Sequence, residues 1–177
     1  MDLSLCMTMH EEMPHFSQKT GKYADCPYHG HTISTDGCGP VAFSMAASWL
    51  LGRTVEPTEV TEWIGRRFNG LRRRGTRTDF FKAAAKHYGL SMETTDELSR
   101  AEGYLRKGFP VIYYTAGSEG VFSFIPHYLV LSGIDAEGNI YIHNPNDLND
   151  GKAFPRETIE KWKAGGFLQR SFYCFSK

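Results

Sequence analysis

The sequence predicts an α+β domain, with helices first and an antiparallel sheet after them. Three observations carry this expectation. Apolar residues recur at helical spacing between about residues 40 and 107. Beyond residue 110 the period switches to short β-branched and aromatic runs. Two of those runs are joined by Asp135-Ala136-Glu137-Gly138, a strong hairpin signal.

Taken in order, residues 1–37 are polar and rich in His, Gly, Pro and Ser, and read as extended or loop structure. Gly39-Pro40 opens a helix with Val41, Met45 and Trp49 on one stripe, Ala42, Ala46 and Leu50 on the next, and Gly52 as its stop. Pro57–Phe68, Thr78–Tyr88 and Asp96–Lys107 are three more helices, the last two ended by Gly89 and Gly108. Strands are expected at Pro110–Thr115, His127–Ile134, Asn139–His143 and Phe167–Phe175, with a helix over Pro155–Lys163. Neither repeats nor a linker interrupt the pattern, so residues 1–177 are expected to form one domain, a length able to bury a core without staples.

Composition narrows the function classes. The 20 basic and 20 acidic residues cancel, so global charge argues for neither a nucleic-acid nor a membrane partner. Four cysteines, Cys6, Cys26, Cys38 and Cys174, are too sparse for a disulfide framework and read as free thiols. The N-terminal residues lack the basic and apolar regions of a signal peptide. The expectation is therefore a cytoplasmic protein, or one secreted after loss of a leader.

The chemistry begins at Ser34-Thr35-Asp36-Gly37-Cys38-Gly39-Pro40. Cys38 stands at the mouth of a helix, where unpaired N–H groups and the helix dipole favour a thiolate. Gly37 and Gly39 would let a substrate backbone approach, and Pro40 sits where its missing N–H costs little. The bland alternative is a packed cysteine, since free cysteine is a common buried small hydrophobe.

The hairpin adds a second pair. A turn centred on Ala136-Glu137 makes facing positions sum to 273, so Leu129 faces Asn144. His127 then shares a sheet face with Asn144, and His143 points the other way. A base and the group that orients it need this juxtaposition. Alternatively, Asn144 simply starts the turn at Asn144-Pro145-Asn146.

Three segments together resemble a known family: Gly37-Cys38-Gly39-Pro40 before an Ala- and Met-rich helix, Pro126-His127-Tyr128-Leu129-Val130-Leu131-Ser132-Gly133, and Gly138-Asn139-Ile140-Tyr141-Ile142-His143-Asn144-Pro145. They are similar to the bacterial papain-like cysteine peptidases related to the bacteriocin-leader-processing peptidases, the C-thirty-nine-like group. The resemblance runs from about Met13 to the last strand. It implies a papain-like fold in which the Cys-bearing helix packs on the sheet carrying the His and the Asn. It also implies Cys38 as nucleophile, His127 as base and Asn144 as the residue orienting it. Relatives often carry Asp where this chain has Asn144. They place an oxyanion-hole Gln about six residues before the Cys, where this chain has Thr32. Met13-Pro14-His15-Phe16-Ser17-Gln18 resembles the stretch that ends in that Gln, making Gln18 the candidate, with Lys19–Thr32 inserted after it.

The expected activity is hydrolysis of a peptide or isopeptide bond through an acyl-enzyme, with a peptide or protein as substrate, Gly37, Gly39 and Pro126 at the substrate, and the segments Glu93–Glu102 and Ala116–Ile125 shaping the groove. No cofactor, metal, nucleic acid or membrane is expected, and the chain is read as a monomer. Three rivals stand beside this. Transfer of the acyl group to an amine, as in transglutaminase-like relatives, needs the same three residues. Cys26, His29, His31 and Cys38 are zinc ligand types within thirteen residues, although their spacing fits no usual structural site. Six arginines between Arg66 and Arg77 could serve an effector module that binds phosphate or an acidic peptide.

Overall fold

The computed structural model describes residues 4–67, 76, 78–166 and 169–177. Among the described residues the α-helices are α1 (Ser4–Glu12), α2 (Ile33–Asp36), α3 (Cys38–Leu51), α4 (Pro57–Arg67), α5 (Thr78–His87), α6 (Leu98–Arg106) and α7 (Arg156–Trp162). The strands are β1 (Pro27–Tyr28), β2 (His31–Thr32), β3 (Ser91–Thr95), β4 (Val111–Thr115), β5 (His127–Ile134), β6 (Ile140–His143), β7 (Ala153–Phe154) and β8 (Phe172–Ser176). β1 and β2 form a separate hairpin; the other six make one antiparallel sheet in the order β3-β8-β4-β5-β6-β7.

Two elements position the site. The α3 sequence is apolar nearly all round, which is the pattern of a buried helix, and Val41, Ala42, Phe43, Met45 and Ala47 are fully enclosed. It packs on β5, every residue of which is buried. A strand buried at both parities has both faces covered; α1 and α6 also pack on β5. The helix that begins with Cys38 and the strand that begins with His127 are thus locked together in the core.

The hairpin register differs near its turn from the expected one. Gly133 faces Tyr141 and Ile134 faces Ile140, one position off, and an irregularity between Leu131 and Gly133 then resets the pairing. Beyond it Leu131 faces Ile142 and Val130 faces His143, so the end of the hairpin bearing His127 carries the expected register. The Asp135 carboxylate holds the turn, accepting the N–H groups of Glu137 and Asn139, and Gly138 takes the left-handed conformation there, φ +85°.

The N-terminal segment is more ordered than its composition implied. α1 is tied down by tertiary contacts: Met9 and Met13 are buried, and the helix lies on β5. β3, an edge strand of Ser-Met-Glu-Thr-Thr, forms because β8 supplies its hydrogen-bond partners. The expected strand over 167–175 begins at Phe172, and residues 167 and 168 lie outside the described residues. So do Phe68 and the side chains of the arginine-rich stretch.

Candidate active site

Cys38 is the first residue of α3, with Gly37 in the cap position and the Val41 N–H closing the first turn on the Gly37 carbonyl at 3.0 Å. Both flanking glycines are buried, and packing dictates them. A Cβ on Gly37 would fall 2.6 Å from the Ile33 carbonyl oxygen, and one on Gly39 would fall 2.3 Å from Thr76 Oγ1. Gly37 and Gly39, expected to let a substrate backbone approach, are thus required by their packing on Ile33 and Thr76. Thr76 is fixed in turn by Tyr28 and Tyr128, whose hydroxyls reach its Oγ1 and carbonyl.

His127 opens β5 and is buried. Its Nε2 lies 2.8 Å from Asn144 Oδ1. The Asn144 amide group cannot be reversed without loss, because Nδ2 donates to the carbonyls of Phe122 (3.0 Å) and Leu148 (2.8 Å). Oδ1 can only accept, so His127 carries its proton on Nε2 and leaves Nδ1 as the basic nitrogen.

A cleft of about 570 Å³ brings the predicted residues together: Gln18, Cys38, Pro126 and His127 all line it, joined by Tyr114 and Gln169. Asn144 stands behind His127, fully buried, while Asn146 reaches the cleft wall. From the loop 116–125, Ser123 and Ile125 contribute. Ser118 Oγ accepts the N–H groups of Phe122 and Ser123, and a Cβ on Gly117 would meet the Phe124 carbonyl oxygen at 2.8 Å. The segment 93–102 is absent from the cleft lining; Glu93 bonds Arg100 and Tyr104.

Gln18 is buried, and its Nε2 faces the carbonyls of Ile33 (3.3 Å) and Ser34 (3.2 Å). Its backbone N–H donates to the Pro145 carbonyl at 2.7 Å, so Gln18 is anchored to the residue that follows Asn144. Lys19 Nζ also reaches the Ser34 carbonyl, at 2.7 Å.

The electrostatics favour a neutral resting pair. Burial lowers the His127 pKa to about 4, against a smaller upward pull from Asn144. Burial also pushes the Cys38 thiol up, opposed by hydrogen bonding from the backbone N–H groups of Tyr128, Gly39 and Cys38 itself. The helix mouth therefore does not by itself give the low thiol pKa expected from sequence. Its N–H groups act on Sγ, and burial outweighs them.

Cys26, His29 and His31 do not assemble with Cys38. Cys26 Sγ donates to the Lys22 carbonyl and His29 lies against the Tyr28 ring. Among the described residues no group of three or more His, Cys, Asp or Glu side chains is placed to hold a metal ion.

The model of the Peptidase_C39 like family matches residues 10–169. The chain belongs to that family. A cysteine peptidase of this family also shares its fold with solved relatives. A putative C39-like peptidase from Bacillus anthracis superposes with TM-score 0.62 at 17% identity, covering 94% of this chain and 95% of that one. The peptidase domain of Streptococcus ComA, a bi-functional ABC transporter involved in a quorum-sensing pathway, gives TM-score 0.54 at 15% identity, covering 78% and 88%. No curated protein matches the sequence. This C39-like peptidase thus has the papain-like α+β fold expected from sequence, with peptides or proteins as its substrates.

Proposed function

We propose that this cysteine peptidase cleaves peptide or isopeptide bonds with Cys38 as nucleophile and His127 as base, within a single catalytic domain. The observation that carries the reading is the His127 Nε2–Asn144 Oδ1 hydrogen bond at 2.8 Å in a cleft that Cys38 also lines. It leaves Nδ1 unprotonated, which is the form a general base needs.

The cycle starts from thiol and neutral imidazole. As Sγ attacks the carbonyl carbon, its proton passes to His127 Nδ1 and the carbonyl π electrons move onto oxygen. The charge develops at the start of α3, where the Cys38 N–H and a Gln18 amide hydrogen receive it. For Gln18 this means turning one Nε2 hydrogen from its long bonds with Ile33 and Ser34 toward the oxyanion. The tetrahedral intermediate collapses, the C–N bond breaks, and His127 gives its proton to the leaving amine. Water then attacks the thioester with His127 as base, releasing the acid and restoring the thiol. Asn144 keeps the imidazole in one tautomer and orientation through both halves. Water needs no binding site of its own, which makes hydrolysis the simpler course than transfer to an amine.

Turnover of a fluorogenic peptide library tests this. The wild type is expected to release product from a subset of peptides, and Cys38→Ala to release none. Equal turnover by Cys38→Ala would remove the nucleophile assignment, and acyl transfer to added glycinamide in preference to water would replace hydrolysis.

A further inference from the structure

The elements behind the cleft contain a second set of polar contacts that the cycle above does not use. They converge on the backbone of Asn144. One carboxylate oxygen, Asp150 Oδ1, accepts the Asn144 N–H at 2.7 Å. The same oxygen faces His143 Nδ1 at 3.3 Å and lies 3.4 Å from His15 Nε2. On the other side, His15 Nε2 donates to the Asn144 carbonyl at 3.0 Å. Both backbone polar groups of the residue that orients His127 are therefore gripped by side chains remote from the catalytic atoms.

The loop is shaped to make that grip. Between Asn144 and Gly151, Asp147 (φ 69°) and Asn149 (φ 53°) take the left-handed conformation without being glycine, and Gly151 does so as well (φ 77°). Asp and Asn tolerate this conformation better than other non-glycine residues, because their short side chains can hydrogen-bond locally. Here they fold the chain back so that Asp150 meets the N–H of a residue six positions earlier. The segment before Gln18 is stitched to the same loop: Ser17 Oγ donates to Asp147 Oδ2 at 2.6 Å, and the Gln18 N–H to the Pro145 carbonyl at 2.7 Å. His143 is held independently, its Nε2 donating to the His10 carbonyl at 2.9 Å and its ring stacked on His10.

We propose that Asp150 is a positioning residue for the reaction: by holding the Asn144 N–H, with His15 on the Asn144 carbonyl, it fixes where Asn144 Oδ1 meets His127 and so which imidazole nitrogen is basic. This rests on the assignment of His127 as base. Burial pushes the Asp150 carboxyl up, but its contacts with the His143 ring and the Asn144 N–H bring it below its ordinary value, so it stays an acceptor at neutral pH. Without it the Asn144 N–H loses its side-chain partner, and the buried Asn144 is freed to shift relative to His127.

The test uses the full chain with iodoacetamide as the probe of Cys38, and long-range ¹H–¹⁵N NMR of the histidine rings as the probe of His127. In the wild type His127 is expected to be protonated on Nε2 alone. Asp150→Ala is expected to give a mixture of His127 tautomers and to slow His127-dependent alkylation of Cys38 by about tenfold, with an unchanged backbone amide fingerprint elsewhere. Asp150→Asn keeps an acceptor for the Asn144 N–H and is expected to recover most of the loss. A folded Asp150→Ala with the wild-type tautomer and a rate within twofold would overturn the proposal. Should Asp150→Ala fail to fold, His15→Phe, which removes the donor to the Asn144 carbonyl, must shift the tautomer in the same direction, and an unshifted ring overturns it equally. If His127→Ala itself leaves Cys38 alkylation unchanged, the assignment of the base has failed. If His127→Ala slows it and the Asp150 and His15 variants do not, only the positioning role has failed.

Discussion

Replacing His127 by Gln removes a buried titrating group and exposes its share of the acid stability of the fold. The imidazole pKa falls from 6.5 to about 4 on folding, chiefly through burial. A histidine depressed in this way is neutral in the fold while the unfolded chain takes up a proton, so the unfolded state binds more protons between pH 4 and 6.5. Its stabilising contribution is present in full above 6.5 and is lost as pH falls toward 4. At pH 4 the unfolded ring is protonated roughly 300-fold over its neutral form and the folded ring is half protonated, a loss of about 3 kcal/mol relative to pH 7. His10 is depressed to the same region by burial and by His143, so wild-type acid sensitivity alone does not isolate His127. Urea unfolding of wild type and His127→Gln at pH 7 and pH 4 does. The stability difference between the two proteins is expected to move by about 3 kcal/mol in favour of the variant at the lower pH. Parallel pH dependences would refute the buried neutral imidazole, and with it the resting state from which the cycle starts.

His127→Ala removes the base itself and should lower kcat by about 10²–10⁴. Asn144→Ala spares the base and is expected to cost less, while leaving the Leu148 carbonyl without its donor at about 1–3 kcal/mol of stability, the Phe122 carbonyl keeping the Asn146 amide; peptide turnover and urea titration read the two effects, and equal inactivity of both folded variants contradicts the orienting role. Gln18→Ala should lower kcat by about 10²–10³ with KM little changed. A steady-state comparison showing unchanged kcat would leave the oxyanion to backbone donors alone.

How far the site could be read from the sequence varies residue by residue. Cys38 was legible because Gly37, Gly39 and Pro40 mark a helix start, and the His127–Asn144 pair because strand parity forces both to one face. The parity survived at His127 only because the irregularity between Leu131 and Gly133 absorbs a one-residue difference at the turn, which no local pattern discloses. α1 was missed because two methionines, Met9 and Met13, anchor it to β5, too few to set a period. Asp150 was missed because its role depends on left-handed Asp147 and Asn149, a conformation that Asp and Asn tolerate in many turns without adopting it. The glycines beside Cys38 suggest room for substrate from sequence alone, and only the fold discloses that Ile33 and Thr76 occupy the places their Cβ atoms would take. For the thiol, the helix start is visible in sequence, whereas the burial that pushes it up is tertiary.

The central claim, that Cys38 is a nucleophile served by His127, is tested most directly by alkylation with iodoacetamide at about pH 6, where the unperturbed thiol of pKa about 8.5 is almost wholly protonated. Cys174 is buried with its thiol pushed up to about 12, and Cys26 donates to a carbonyl, so neither has a base to assist it. Peptide mapping by mass spectrometry is expected to find Cys38 labelled well ahead of Cys6, Cys26 and Cys174 in the wild type, with that preference lost in His127→Ala. Slow labelling of Cys38 that is indifferent to His127 would contradict the account.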